Sequence, residues 1–215
     1  MTIDESKKTS RTLTYGTADS SVVFKLAWYA VASKPGVLLN QYSEAESQIF
    51  KGTATFSTML DNAPALVRIQ VNGDTKSADI TVLGASESAG KPLVDGALTQ
   101  IQNSLSKYAG LSEDAKTRLR RALLAKTCWD RVVHAILNKA PAATVYVNLA
   151  HGREMLIKAT EGEEVQPSSL TTASWLTVIE PLPRDSPLPS HIASELAKKS
   201  VEWKKDTQAL IARYL

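Results

Sequence analysis

A single cysteine, Cys128, is all the thiol the chain carries, so neither an internal disulfide framework nor an all-cysteine metal site can be built. Its place in an apolar helical segment reads as a small buried hydrophobe and fits a reducing compartment. Histidine is almost as scarce. His134, His151 and His191 stand far apart and outside any H-E-x-x-H or C-x-x-C spacing, so no metal is expected and each reads as a surface histidine. No stretch approaches the roughly 20 apolar residues that span a bilayer, and the opening MTIDESKKTSRT lacks an apolar signal core. A cytoplasmic protein without a transmembrane segment is therefore expected. Ten glycines and nine prolines exclude a collagenous or low-complexity chain.

What is present is an ordinary globular composition: 215 residues, 43% hydrophobic and 22% charged, enough to bury a core. The net charge of +3 is small, but its distribution is uneven. Residues 111–140 hold 7 basic against 3 acidic side chains, residues 151–189 hold 3 against 6, and residues 190–215 hold 5 against 3. Residues 1–20 and 21–110 are each balanced.

Residues 1–20, polar and poor in large apolar side chains, read as a flexible arm. In SSVVFKLAWYAV the set Val22, Phe24, Leu26, Trp28 alternates with Val23, Lys25, Ala27, Tyr29, a period of two that predicts a strand covered on both faces. Ser43 to Lys51 reads as a short helix and Thr53 to Leu60 as a strand. Val67, Ile69 and Val71, the dipeptide Asn72-Gly73, then Ile80 and Val82 spell a hairpin. After Gly90 the period becomes 3.6. Val94, Ala97, Leu98, Ile101, Leu105 and Tyr108 share a helix face, with Pro92 in its first turn and Gly110 as its stop. Ser112-Glu113-Asp114 caps a second helix running to about Lys139, and the two are expected to form a helical hairpin. Val145, Val147 and Leu149, a His151-Gly152 turn, and Met155 and Ile157 read as further strands, as does Ser174 to Glu180. Four prolines in residues 181–189 make a stiff connector, and Ser190 caps a last amphipathic helix. On that helix Ile192, Leu196, Trp203, Leu210 and Tyr214 fall within roughly 40° of one line.

The fold class that follows is α+β: antiparallel strands packed with a central helical hairpin over 21–180, then a proline connector and a C-terminal helix.

Two loops come near a catalytic motif. Gly84-Ala85-Ser86-Glu87-Ser88 begins like a nucleophile elbow but ends in serine where a second glycine belongs. Ala85 to Lys91, with Gly90-Lys91 at its end, matches a relaxed phosphate loop between a strand and a helix. Pro92 replaces the Mg²⁺-binding hydroxyl, Glu87 adds negative charge, and the strand belongs to a hairpin. No cofactor is expected.

The binding signal lies on the second helix. With Trp129 at the centre of its buried face, Lys116, Arg120 and Arg131 fall together on the opposite side, spanning about 22 Å at 1.5 Å per residue. Such a row can follow several phosphates. Arg118 and Arg121 flank the buried side, where they can pair with carboxylates or reach a partner. These features suggest a non-catalytic, self-associating structural or assembly protein of nucleocapsid, coat or matrix type. It would bind RNA, another nucleic acid or an anionic surface through basic helix faces. An adaptor or accessory subunit docking on a protein partner through its C-terminal helix is the alternative. A nucleotide-binding enzyme using Ala85, Gly90 and Lys91 is the second.

Overall fold

The computed structural model describes residues 3–46, 49–163 and 167–215. The order of elements is β1 (Lys8–Thr14), α1 (Ser20–Ala32), β2 (Leu38–Glu46), β3 (Phe50–Leu60), β4 (Ala63–Asn72), β5 (Ser77–Leu83), α2 (Glu87–Gly110), α3 (Glu113–Leu137), α4 (Ala142–Ala159), α5 (Pro167–Ile179) and α6 (Ser190–Ala212). The class is α+β, with five antiparallel strands in the order β1-β5-β4-β3-β2. The chain divides into two compact units, Met1–Gly110 and Leu111–Leu215. The boundary cuts the single core expected over 21–180 and falls between the two helices expected to pair. Each helix has its apolar face engaged inside its own unit: α2 packs on α1, β1 and β5, while α3 packs on α4 and α6.

In the first unit, register brings Ala54 and Phe56 of β3, Val67, Ile69 and Val71 of β4, and Ala78, Ile80 and Val82 of β5 to one face of the sheet. Helices α1 and α2 cover that face. The opposite face carries Ser10, Thr12, Thr81, Arg68, Gln70 and Thr53, the alternation of a sheet packed on one side. Residues 20–32 form a helix, not the strand expected. Ten of the thirteen are buried, so apolar side chains occur all round and the period of two carries no information. Asp19 caps this helix by accepting from the Ser21 amide at 2.8 Å. Phe24 and Trp28 then meet edge to face, and Trp28 meets Phe56 with centroids 5.4 Å apart.

The N-terminal arm is also corrected, because residues 8–14 pair with β5 along their whole length. An edge strand needs backbone partners more than apolar side chains, and here Leu13 supplies the anchor. The helix expected over Ser43 to Lys51 is replaced by β2 and the start of β3, with residues 47 and 48 outside the described residues. The β4–β5 hairpin forms as expected, although the left-handed residue of its turn is Lys76.

The second unit is built from α3 to α6. Residues 142–159 are one helix, not two strands. Val145, Leu149, Gly152, Leu156 and Ala159 face inward at helical spacing, whereas Val147, expected inside a strand, is 63% exposed. Gly152 is not a turn residue. A Cβ there would stand 2.6 Å from the Trp129 ring, so glycine lets α4 lie close against α3. The strand expected at Ser174 to Glu180 belongs mostly to α5. The proline segment is pinned: the amides of Ala142 and Ala143 donate to the carbonyls of Ser186 and Arg184, which satisfies the N-terminus of α4. Ser190 is the first helical residue of α6, whose N-cap is Pro189.

Candidate functional site: a cation-lined cavity in the helical unit

The expected phosphate loop is closed by its own helix. Ala89 and Gly90 donate their amides to the Ser86 carbonyl, so these donors are committed to the first turn of α2. Ala85 is buried, and Gly90 packs so tightly on β1 that a Cβ would lie 3.0 Å from Thr9 Oγ1. Gly90 serves the approach of helix to strand, and the exposed Lys91 has no cradle beside it.

The basic ridge along α3 is not an open face. The Lys116 side chain, 19% exposed, is paired with Glu113 at 2.8 Å, an ion pair that holds the Glu113 carboxyl below its ordinary value. Thr127 on the same line is buried, Arg131 is half-buried, and only Arg120 is exposed. The stripe on α6 is likewise occupied within the unit. Leu196, Trp203 and Leu210 are buried, with Ile192 and Tyr214 half-buried at its ends. Trp203 packs on Trp129 at 5.4 Å between centroids and donates to Thr171, while Trp129 donates to Thr207. A partner could reach this stripe only by opening the unit.

Between α3 and α6 lies a charged group that the sequence reading missed. Lys126 is 1% exposed and pairs with Asp130 at 3.2 Å, and Asp130 also takes Lys204 at 2.5 Å. Burial drives the Lys126 ammonium below its ordinary value despite the carboxylate. Lys126 and Asp130 sit four apart in an otherwise apolar helical run, which is the signal that could have disclosed them.

Arg118 and Arg121 do come together with residues from distant elements. Arg118 pairs with Asp114 and Glu163, and Arg213 joins it on Glu163 at 2.9 Å. The Asp114 hydrogen bond raises the Arg118 guanidinium above its ordinary value. Arg121 donates to the Lys158 carbonyl at 2.9 Å, where a cation is favourable at the C-terminal end of α4, and stands 4.0 Å from Glu161. Beside this group opens a cavity of about 540 Å³, lined by Arg121, Arg153, Ile157, Lys158, Thr160 and Leu170 among others. Arg153 is held at one point: its Nε donates to the Ser169 carbonyl at 3.0 Å. Its terminal nitrogens have no partner among the described residues.

The wall contributed by α5 is mixed. Ser168, Ser169, Thr172 and Ile179 are buried and Trp175 and Leu176 half-buried, whereas Leu170 is 59% and Val178 44% exposed beside exposed Thr171, Ser174 and Thr177, and the helix contains no charged residue. Among the described residues no helix is long and apolar enough to cross a membrane, and no group of three His, Cys, Asp or Glu gathers for a metal ion. Compared with protein-family models, curated proteins and solved structures, the chain matches none.

Proposed function

We propose that this chain is a non-catalytic assembly protein of matrix type that engages an anionic membrane surface. The contact is the α5 face with the cation-lined cavity beside it, not a ridge along α3. The observation that carries this is the uncharged exposed face of α5. A helix with no charge on any side, which leaves Leu170 and Val178 outward among exposed Thr171, Ser174 and Thr177, suits an interfacial neighbour. Arg121, Arg153 and Lys158 at its edge supply the charge complementarity an anionic leaflet requires. The whole excess of positive charge supports the same end of the chain, since residues 1–110 hold 10 basic and 10 acidic side chains and residues 111–215 hold 15 and 12. Self-association would use the edges of the open sheet, β1 and β2.

Co-sedimentation with phosphatidylcholine vesicles, plain or containing phosphatidylglycerol, tests the reading. The chain should bind the anionic vesicles only, less tightly as salt rises, and Leu170→Asp with Val178→Asp should weaken binding about tenfold or more. A single-stranded RNA bound more tightly than the vesicles would move the function to nucleic acid. Light scattering that finds only a monomer on vesicles and in solution would remove the assembly role.

A further inference from the structure

The cavity beside α5 is more than a patch of charge, and its donor set is specific enough to name a headgroup. Its size is that of a small-molecule site, so it admits one polar group and not a length of polymer. Three cationic residues line it from two helices, Arg121 of α3 and Arg153 and Lys158 of α4, the Lys158 ammonium lying on Glu154 at 2.6 Å. The Ser169 carbonyl fixes Arg153 through Nε, so its terminal nitrogens form a fork that needs little further ordering to bind. Arg121 is tethered differently, through its terminal Nη1, to the Lys158 carbonyl. Two carboxylates share the lining, and Glu163 is already engaged by cations. Glu163 carries Arg118 and Arg213, and Glu161 lies beside Arg121. Thr160 and Ser169 add polar groups, and Ile157 and Leu170 supply an apolar wall.

From this set we infer that the cavity holds a phosphomonoester headgroup of an anionic lipid, with Ile157 and Leu170 against the first part of its apolar body. A monoester carries a charge of about −1.5 to −2 at neutral pH and presents three strong acceptor oxygens. That suits the Arg153 fork, with Arg121 and Lys158 beside it, better than the single charge of a diester or a carboxylate does. The inference rests on the membrane reading above but makes a separate demand, selectivity among lipids of the same sign.

The test uses the full chain and phosphatidylcholine vesicles containing either phosphatidate or phosphatidylglycerol at matched surface charge. Phosphatidate vesicles should bind about tenfold more tightly. Arg153→Gln should abolish the difference between the two lipids, with phosphatidylglycerol binding itself falling by no more than about fivefold through the loss of one surface charge. Lys158→Gln should act in the same direction without touching the Arg153–Ser169 contact, which keeps the test open if Arg153→Gln does not fold. Equal binding of the two lipids would overturn the inference and leave the membrane reading standing. Melting in glycerol 3-phosphate separates the sources. A rise in Tm that Arg153→Gln abolishes, with phosphatidate no better than phosphatidylglycerol, would assign the cavity to a soluble phosphomonoester and overturn the lipid assignment. A chain that binds neither vesicle nor glycerol 3-phosphate would sink both.

Discussion

Gly152 stands in the middle of α4 where an added Cβ would lie 2.6 Å from Trp129 and 2.9 Å from Cys128 Cβ, in a core with no room to yield. We expect Gly152→Ala to lower stability by about 1–3 kcal/mol, the usual cost of overpacking, read as a reduced urea midpoint with tryptophan emission as the probe. The buried ions beside it behave differently according to which one is removed. Asp130→Asn leaves Lys126 and Lys204 facing each other without their shared carboxylate, and should cost about 3–5 kcal/mol in the same measurement. Lys126→Met keeps the Lys204–Asp130 pair and should be neutral or stabilising at neutral pH. The sign of the pH dependence follows from the depressed ammonium. Unfolding restores Lys126 to its ordinary value near 10.5 and takes up a proton at any pH between the folded value and that one, so stability rises with pH across this window. Measured against Lys126→Met, the unmodified protein should therefore gain stability as pH is raised toward 10.5. A difference that stays flat or falls would mean that Lys126 is not depressed.

At the scale of the element, Gly90 and Lys91 separate a packing role from a ligand role. Gly90→Ala should shift the urea midpoint of the first unit, because the Thr9 side chain must give way to a Cβ 3.0 Å from its Oγ1. Lys91→Ala should change stability by less than about 0.5 kcal/mol, and neither variant should alter melting in the presence of a nucleotide. A nucleotide-dependent rise in Tm lost in Lys91→Ala would restore the phosphate loop. Elements were legible in the sequence where one face is buried and the other is not. The β4–β5 hairpin, α2 and α6 have that pattern, and α3 was legible through its cap, Ser112 accepting from the Ala115 amide. They were illegible where burial is all round or where apolar side chains lie exposed. α1 is apolar on nearly every side, so alternation and helical spacing were both satisfied. In α4, Val147 and Ile157 lie exposed and completed a false period of two, and Gly152 resembled a turn because its packing partner Trp129 is remote in the chain. The same misreading hid Arg153 and Lys158, since the cavity that both line is completed by α3, α5 and the turn after α4. Arg118 and Arg121 could be named from the sequence, but the carboxylates that engage them, Glu161 and Glu163, come from a distant turn.

For the molecule as a whole, charge and architecture divide at the same place. The unit Met1–Gly110 has its own sheet, two helices and core and no net charge, whereas Leu111–Leu215 has its own helical core, the uncharged α5 and the cation-lined cavity. Units of this size that each bury a core can fold alone when cut where few contacts cross. We expect fragments 1–110 and 111–215 each to show a cooperative thermal transition by circular dichroism, with the first rich in strand and the second almost wholly helical. If the anionic contact is made as proposed, the second fragment alone should retain binding to phosphatidylglycerol vesicles within about threefold of the full chain, and the first should show none. Self-association should divide the other way, because the open sheet with its two edge strands lies in the first unit. Light scattering should then find oligomers of fragment 1–110 and a monomer of fragment 111–215. Vesicle binding that needs both fragments together, or that follows the first, would place the anionic contact outside the helical unit and remove the argument built on α5.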